Sequence, residues 1–229
     1  MTQNPRFTSD PSSARGDSDI WSIYHSEVDI PTQLRQAVTD GVILWLHWQW
    51  FSLEELGSRL LSDYHYPKGA IDCVPLWVGD QLLTVCEIDN HLLFERLIVL
   101  RLAAVSEAPL PRHPRSDFFQ WALLKHAQKV PGEFPRFDSF EQLLHDAHSH
   151  DRPVTLIDSK RRRGASGLLS VTTDEVTFQP IDCCGYFCWP ERVLLADLIV
   201  VEIGGVHETR LLEHARMSPN CYDPNTDTL

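Results

Sequence analysis

The chain has 229 residues, a net charge of −12 and a hydrophobic fraction of 43%. That leaves room for one or two domains with cores of their own, and the acidic balance argues against a protein whose main task is to hold a nucleic-acid backbone. No apolar run approaches the ~18 residues that a membrane-spanning helix needs, and residues 1–19 lack the apolar core of a signal peptide. A cytoplasmic protein is therefore expected, with its six cysteines as free thiols.

Residues 1–20 are polar and rich in Pro, Ser, Gly and Asp, the composition of a disordered tail. Residues 31–38 read as a short helix that stops at Asp40-Gly41, where glycine supplies the left-handed turn. Residues 42–51 are rich in β-formers and make the first strand. Alternation puts Leu44, Leu46, Trp48 and Trp50 on one face, and Trp45, His47 and Gln49 on the other. Ser52 and Glu55 fit a capping box for a helix reaching residue 62. Strands follow over 70–78 and 82–88 around a Gly79-Asp80 turn, then one over 95–102 and a short one at Val105. Pro109, Pro111 and Pro114 break regular structure and mark a boundary. Helices are expected over 117–129 and from Ser139, where Gln142 completes a capping box, to His148. Strands then fall at 154–158, 167–171, 175–181, 187–195 and 198–203, before a closing helix over 208–217. The domain reading is a tail at 1–20, a first unit at 21–108, a helical linker at 109–150, a second unit at 151–217 and a tail at 218–229.

The two units repeat one another. One begins at Gly69-Ala70 and the other at Gly164-Ala165, both turn at an acidic residue (Asp80, Asp174), and both run through a strand ending in Ile-Asp (Ile88-Asp89, Ile181-Asp182). From that Asp onward they register without a gap: Phe94 with Phe187, Leu100 with Val193, Leu102 with Leu195, Val105 with Leu198. Leu83 and Val85 alternate with Thr84 and Cys86, as Val176 and Phe178 do with Thr177 and Gln179, which is the pattern of a half-buried sheet. The expected class is mainly β with accessory helices (α+β), each unit's short strands closing into a small barrel.

These units resemble the Sm-like, or SH3-like, barrel, and the chain is more closely similar to an uncharacterised bacterial family with two such barrels in tandem. The match rests on the two Ile-Asp strand ends, the Phe five residues after each Asp, and the closings Leu102 to Val105 and Leu195 to Leu198. The segments Asp117-Phe118-Phe119 and Ser139-Phe140-Glu141-Gln142-Leu143-Leu144 add to it, so that the resemblance spans residues 30–215. It implies two tandem Sm-like barrels joined by a two-helix linker and packed as a pseudo-dimer, with no assigned activity. RNA-binding Sm proteins hold bases with an Asn after the Asp turn and an Arg-Gly pair in the last loop. Here those positions read Asp174-Glu175-Val176-Thr177 and Ile203-Gly204-Gly205, and the first unit has Val105-Ser106-Glu107-Ala108 in the last loop, so the resemblance does not extend to RNA binding.

Candidate chemistry is sparse. Lys160-Arg161-Arg162-Arg163 is the one basic cluster and falls at a hairpin tip, where four cations could grip phosphate or an acidic surface, or pair with the chain's own acids. His145 and His148 share a helix face, as metal ligands can, but also as histidines complementing a helix C-terminus do; His150 and Asp151 fall past the helix end. Cys183, Cys184 and Cys188 lack a second pair at zinc-site spacing, and Cys73 and Cys86 read as small buried strand residues. The chain has no Gly-x-Ser-x-Gly, phosphate loop, His-Glu-x-x-His or glycine-rich nucleotide fingerprint. The repeated Ile-Asp is explained by an Asp that accepts backbone N–H bonds in the following turn; Glu87, Asp89 and Asp182 would pair only if the barrels faced each other. Trp45, with Ile43, marks a contact surface if it is exposed. The expectation is non-catalytic protein binding, as an adaptor or as an immunity-type inhibitor of a basic toxin, with a protein partner and no cofactor, metal or membrane. The alternatives are a nucleic-acid-binding regulator using residues 160–163, and an enzyme or metal protein using the region of His145 and His148.

Overall fold

The fold is that of a computed structural model, which describes residues 28–49, 68–88, 94–108, 136–159 and 162–218. In chain order the elements are α1 (Ile30–Asp40), β1 (Leu44–Gln49), β2 (Lys68–Val78), β3 (Leu82–Ile88), β4 (Phe94–Arg101), a 3-10 turn (Leu102–Ala104) and β5 (Val105–Glu107). Then follow α2 (Phe140–Ser149), β6 (Val154–Asp158), β7 (Arg162–Val171), β8 (Glu175–Pro180), β9 (Glu191–Leu194), a second 3-10 turn (Leu195–Asp197), β10 (Leu198–Ile203) and α3 (Val206–Met217). The helices expected over 52–62 and 117–129 lie outside the described residues.

Local chemistry sets the ends of these elements. The Asp29 carboxylate accepts the Thr32 N–H at 3.1 Å to start α1, and Gly41, at φ 63°, stops it. The Ser139 hydroxyl accepts the Gln142 N–H at 3.2 Å to start α2, while the Gln142 side chain accepts the Asp138 N–H at 3.0 Å. The capping box therefore closes one residue earlier than the motif has it. Between β2 and β3 the turn needs Gly79 because the Trp77 indole lies over it: a Cβ there would meet the ring at 2.4 Å. Pro75 is tolerated within β2 because it sits at a register shift of the β2–β3 ladder.

All ten strands join one antiparallel sheet in the order β5-β1-β2-β3-β4-β10-β6-β7-β8-β9. The mainly β class with accessory helices is as expected. The closed barrels are not: hydrogen bonding runs on from β4 into β10, leaving β5 and β9 as the ends of the sheet among the described residues. Each run of five strands nonetheless has the same order, the fifth strand returning beside the first, and the two 3-10 turns fall at matching places in the repeat. The strand expected over 187–195 is shorter, because residues 181 and 187 meet only at an isolated bridge and Pro190 delays the ladder.

Two apolar cores lie on opposite faces of this sheet. The first takes Leu34 and Ala37 of α1, Leu44, Leu46 and Trp48 of β1, and Leu83, Val85, Ile98 and Leu100 of β3 and β4. The second takes Phe140, Leu143, Leu144 and Ala147 of α2 with Leu156, Val176, Phe178, Val193 and Val201. Helix α2, read as linker from the sequence, is thus built into the second core. Neither core is complete by itself. Ile157 and Val200 from the later strands enter the first core, and Leu82 and Val99 from the earlier strands enter the second. Alternate residues of β4 serve different cores, Ile98 and Leu100 the first and Val99 the second, so residues 97–100 read as an unbroken apolar run.

A fold with shared cores should unfold in one step. Phe178, fully buried in the second core, is the probe: Phe178→Ala is expected to cost about 3–5 kcal/mol. Urea titrations followed by circular dichroism and tryptophan fluorescence should show a single coincident transition at a lower midpoint, with no first half left standing.

Candidate functional site

The junction of β4 and β10 is pinned by side chains on both faces. Arg96 and Arg101 lie five residues apart on β4, so alternation sends them to opposite sides. On one side the Arg96 guanidinium pairs with Glu87 of β3, lies 2.9 Å from Glu202 of β10 and donates to Glu208 of α3 at 3.3 Å. Arg162 of β7 donates to the same Glu202 carboxylate at 2.8 Å. Three carboxylates thus share two guanidiniums, and side-chain exposures of 15% for Arg96 and 5% for Glu202 keep solvent from screening them. Burial pushes the Glu202 carboxyl above its usual range, against the pull of Arg162 and Arg96.

On the other side Arg101 donates from Nε to the Leu198 carbonyl at 2.6 Å, and from Nη2 to the Leu195 and Ala196 carbonyls at 3.0 and 3.1 Å. It therefore caps the 3-10 turn that leads into β10. Its guanidinium also lies 5.3 Å from the centre of the Phe140 ring. A cavity of about 200 Å³ opens beside it, lined by Arg101, Asp138, Phe140, Glu141 and Leu195.

The open end at β9 differs in kind. In the register that aligns Ile88 with Ile181, Trp189 stands where Arg96 stands and Leu194 where Arg101 stands. Trp189 is 69% exposed and Leu194 51%. The edge itself is blunt, with four residues, Pro190 before it and Arg192 within it, as edges that resist an added strand are.

The residues singled out from the sequence do not form one site. Arg162 and Arg163 lie in β7 rather than at a tip, and both are engaged internally. Arg162 meets Glu202, while Arg163 donates to Glu191 of β9 at 2.9 Å, pairs with Asp158 of β6 and covers the Phe178 ring at 5.6 Å. Lys160 and Arg161 lie outside the described residues. Trp45 is 42% exposed, with the His47 ring edge-on at 4.2 Å. His145 and His148 are exposed on α2, and among the described residues no three metal-ligating side chains come together. Cys73 and Cys86 are buried, as expected, and desolvation pushes the Cys86 thiol up to about 12. Asp182 behaves as the repeat implied, accepting the Cys184 and Tyr186 N–H groups, each at 2.9 Å; Asp89 lies outside the described residues.

Sequence reasoning missed Arg96, Arg101, Glu202 and Glu208. The one available signal was the repeat itself, since Arg on β4 faces Trp and Leu at the matching positions of the second unit. Comparison with protein-family models, with curated proteins and with solved structures found no match.

Arg96→Met would leave three carboxylates around one guanidinium, and is expected to lower stability by about 3–5 kcal/mol in urea unfolding. Glu202→Gln removes the excess charge and should cost less. Since the folded pKa of Glu202 lies above its ordinary value of 4.5, its native state binds that proton more tightly than the unfolded chain does. Its contribution to stability is therefore full below the unfolded value and is lost as pH rises through the folded one. Across that window the wild-type urea midpoint should fall more steeply with pH than that of Glu202→Gln.

Proposed function

We propose that the chain is a non-catalytic protein-binding module made of two tandem Sm-like five-stranded units, related by internal duplication and joined in one open sheet, and that it takes a protein partner at the β9 end. The observation that carries this reading is the contrast between two equivalent positions. The fourth strand of the first unit meets another part of the same protein through Arg96 and Arg101. The fourth strand of the second unit ends the sheet among the described residues, and Leu194 of that strand and Trp189 just before it are exposed there instead. An exposed Trp at the end of a sheet is characteristic of a contact surface. The blunt edge favours side-chain packing by the partner over an added strand. Overall acidity favours a partner with basic surroundings around its apolar contact.

Affinity capture from a lysate tests this with wild type and with Trp189→Ser/Leu194→Ser, each with and without nuclease and at two salt concentrations. A defined protein should be retained through nuclease treatment and lost in the double variant. Retention of nucleic acid that disappears as salt rises would instead favour residues 160–163 as the binding element. Equal retention of the protein by wild type and variant would remove the β9 end from the reading.

A further inference from the structure

The loop between β8 and β9 carries adjacent thiols in a built turn. Ile181 and Phe187 form its base as a bridge, and the Cys188 N–H donates to the Pro180 carbonyl at 2.8 Å. Inside it the Asp182 carboxylate holds the Cys184 and Tyr186 N–H groups, and the Asp182 carbonyl accepts the Gly185 N–H at 3.0 Å. Gly185 takes a φ of 81°. A side chain there would be both strained and blocked, since a Cβ would meet His214 Nδ1 at 2.6 Å. That His214 Nδ1 lies 3.1 Å from the Gly185 carbonyl, and the Tyr186 and His214 rings meet edge to face at 6.0 Å, so the tip of the loop docks on α3. Cys183 and Cys184 stand at this tip, both exposed and both free.

We propose that Cys183 and Cys184 form a peroxide-sensitive dithiol whose closure to a disulfide loosens the loop from α3. A hydroperoxide is the oxidant. The Cys183 sulfur attacks the outer peroxide oxygen and becomes a sulfenic acid, releasing an alcohol, or water from hydrogen peroxide. The Cys184 sulfur then attacks the Cys183 sulfur; the S–S bond forms, and the departing hydroxide leaves as water with the Cys184 proton. Two thiols are oxidised by two electrons and one peroxide is reduced. Cys184 suits the second role: its hydrogen bond to Cys183, then the charge of Cys183 and of Asp182, hold its thiol above the ordinary value, which leaves the first attack to Cys183.

Geometry makes the product easily reversed. A trans peptide sets adjacent Cα atoms about 3.8 Å apart, while a disulfide prefers at least about 4.4 Å. Since no rotation lengthens that spacing, ring closure strains and displaces the peptide between Cys183 and Cys184. That peptide carries the N–H held by Asp182, and its displacement shifts Gly185 away from His214. A strained, exposed bridge of this kind is readily reduced by cellular thiols.

The test uses the full chain, reduced and then titrated with hydrogen peroxide. Peptide mapping should find a linkage between Cys183 and Cys184, reversed by dithiothreitol. Amide exchange in α3 should rise about fivefold, as for the loss of one hydrogen bond, and should not change in Cys183→Ser or Cys184→Ser. A bridge to Cys188 or between chains, oxidation of either thiol to a sulfinic acid without a bridge, or a bridge that leaves α3 exchange unchanged would each overturn the proposal.

Discussion

The pairing of β4 with β10 is the constraint on which the rest of the structure depends. Over residues 98–100 and 200–203 the strands are buried on both faces, so a residue there must be apolar or must have a polar or charged partner. The apolar residues meet two different cores, Ile98 and Leu100 on one side and Val99 on the other. Where the apolar run stops, Arg96 and Arg101 take over on opposite faces, and Glu202 answers from β10. Neither five-strand unit fills its core without side chains from the other. The junction is thus continuous with the protein interior and unlike a surface contact between two finished domains.

The charges at the junction contribute differently on its two faces. Arg101 meets neutral carbonyls and lies near an aromatic ring, so its charge is met by dipoles and a ring face. Arg96 sits among three carboxylates, one of them on α3, so the closing helix is tied to the sheet by an ion pair as well as by Leu212 and Ala215. A second pair, Arg216 with Asp151, ties the far end of α3 to the turn after α2. Desolvated charges of this kind add little net stability over an apolar packing, but they penalise any other register strongly, because a slip would leave them buried and unpaired. Their role here is to set which strand β4 accepts.

The two ends of the sheet follow from the same logic. A fourth strand that meets part of its own chain carries arginines aimed at known carbonyls and carboxylates. At the open end Leu194 of the fourth strand and Trp189 just before it are exposed instead, with apolar bodies that can pack against many shapes. Pro190 and the short length of β9 discourage a further strand. One sequence position thus serves as a lock inside the protein and as an exposed apolar side chain at its edge.

Much of the fold was legible in the sequence. The cap at Ser139, the stop at Gly41, the Gly79-Asp80 turn, the alternation of β3 and β8 and the Asp182 turn all depend on residues a few positions apart, and local chemistry suffices to read them. The repeat also aligned Leu102 with Leu195, where the structure has its two 3-10 turns. What local chemistry could not decide was the destination of each strand's outer edge. An apolar run such as 97–100 is equally suited to a closed barrel and to a shared sheet, because both bury its two faces. Closure was expected, and a continuous sheet is found. The basic residues Arg162 and Arg163 show the same limit: four cations in a row look like a binding element until folding brings Glu202, Asp158 and Glu191 beside two of them. The sequence by itself determined the elements, their ends and their repetition, since these rest on neighbours along the chain. Only the tertiary structure decided which charges are partners and which apolar residues stay exposed, because a charge or an apolar surface is satisfied by whatever is near in space, however far apart in the chain.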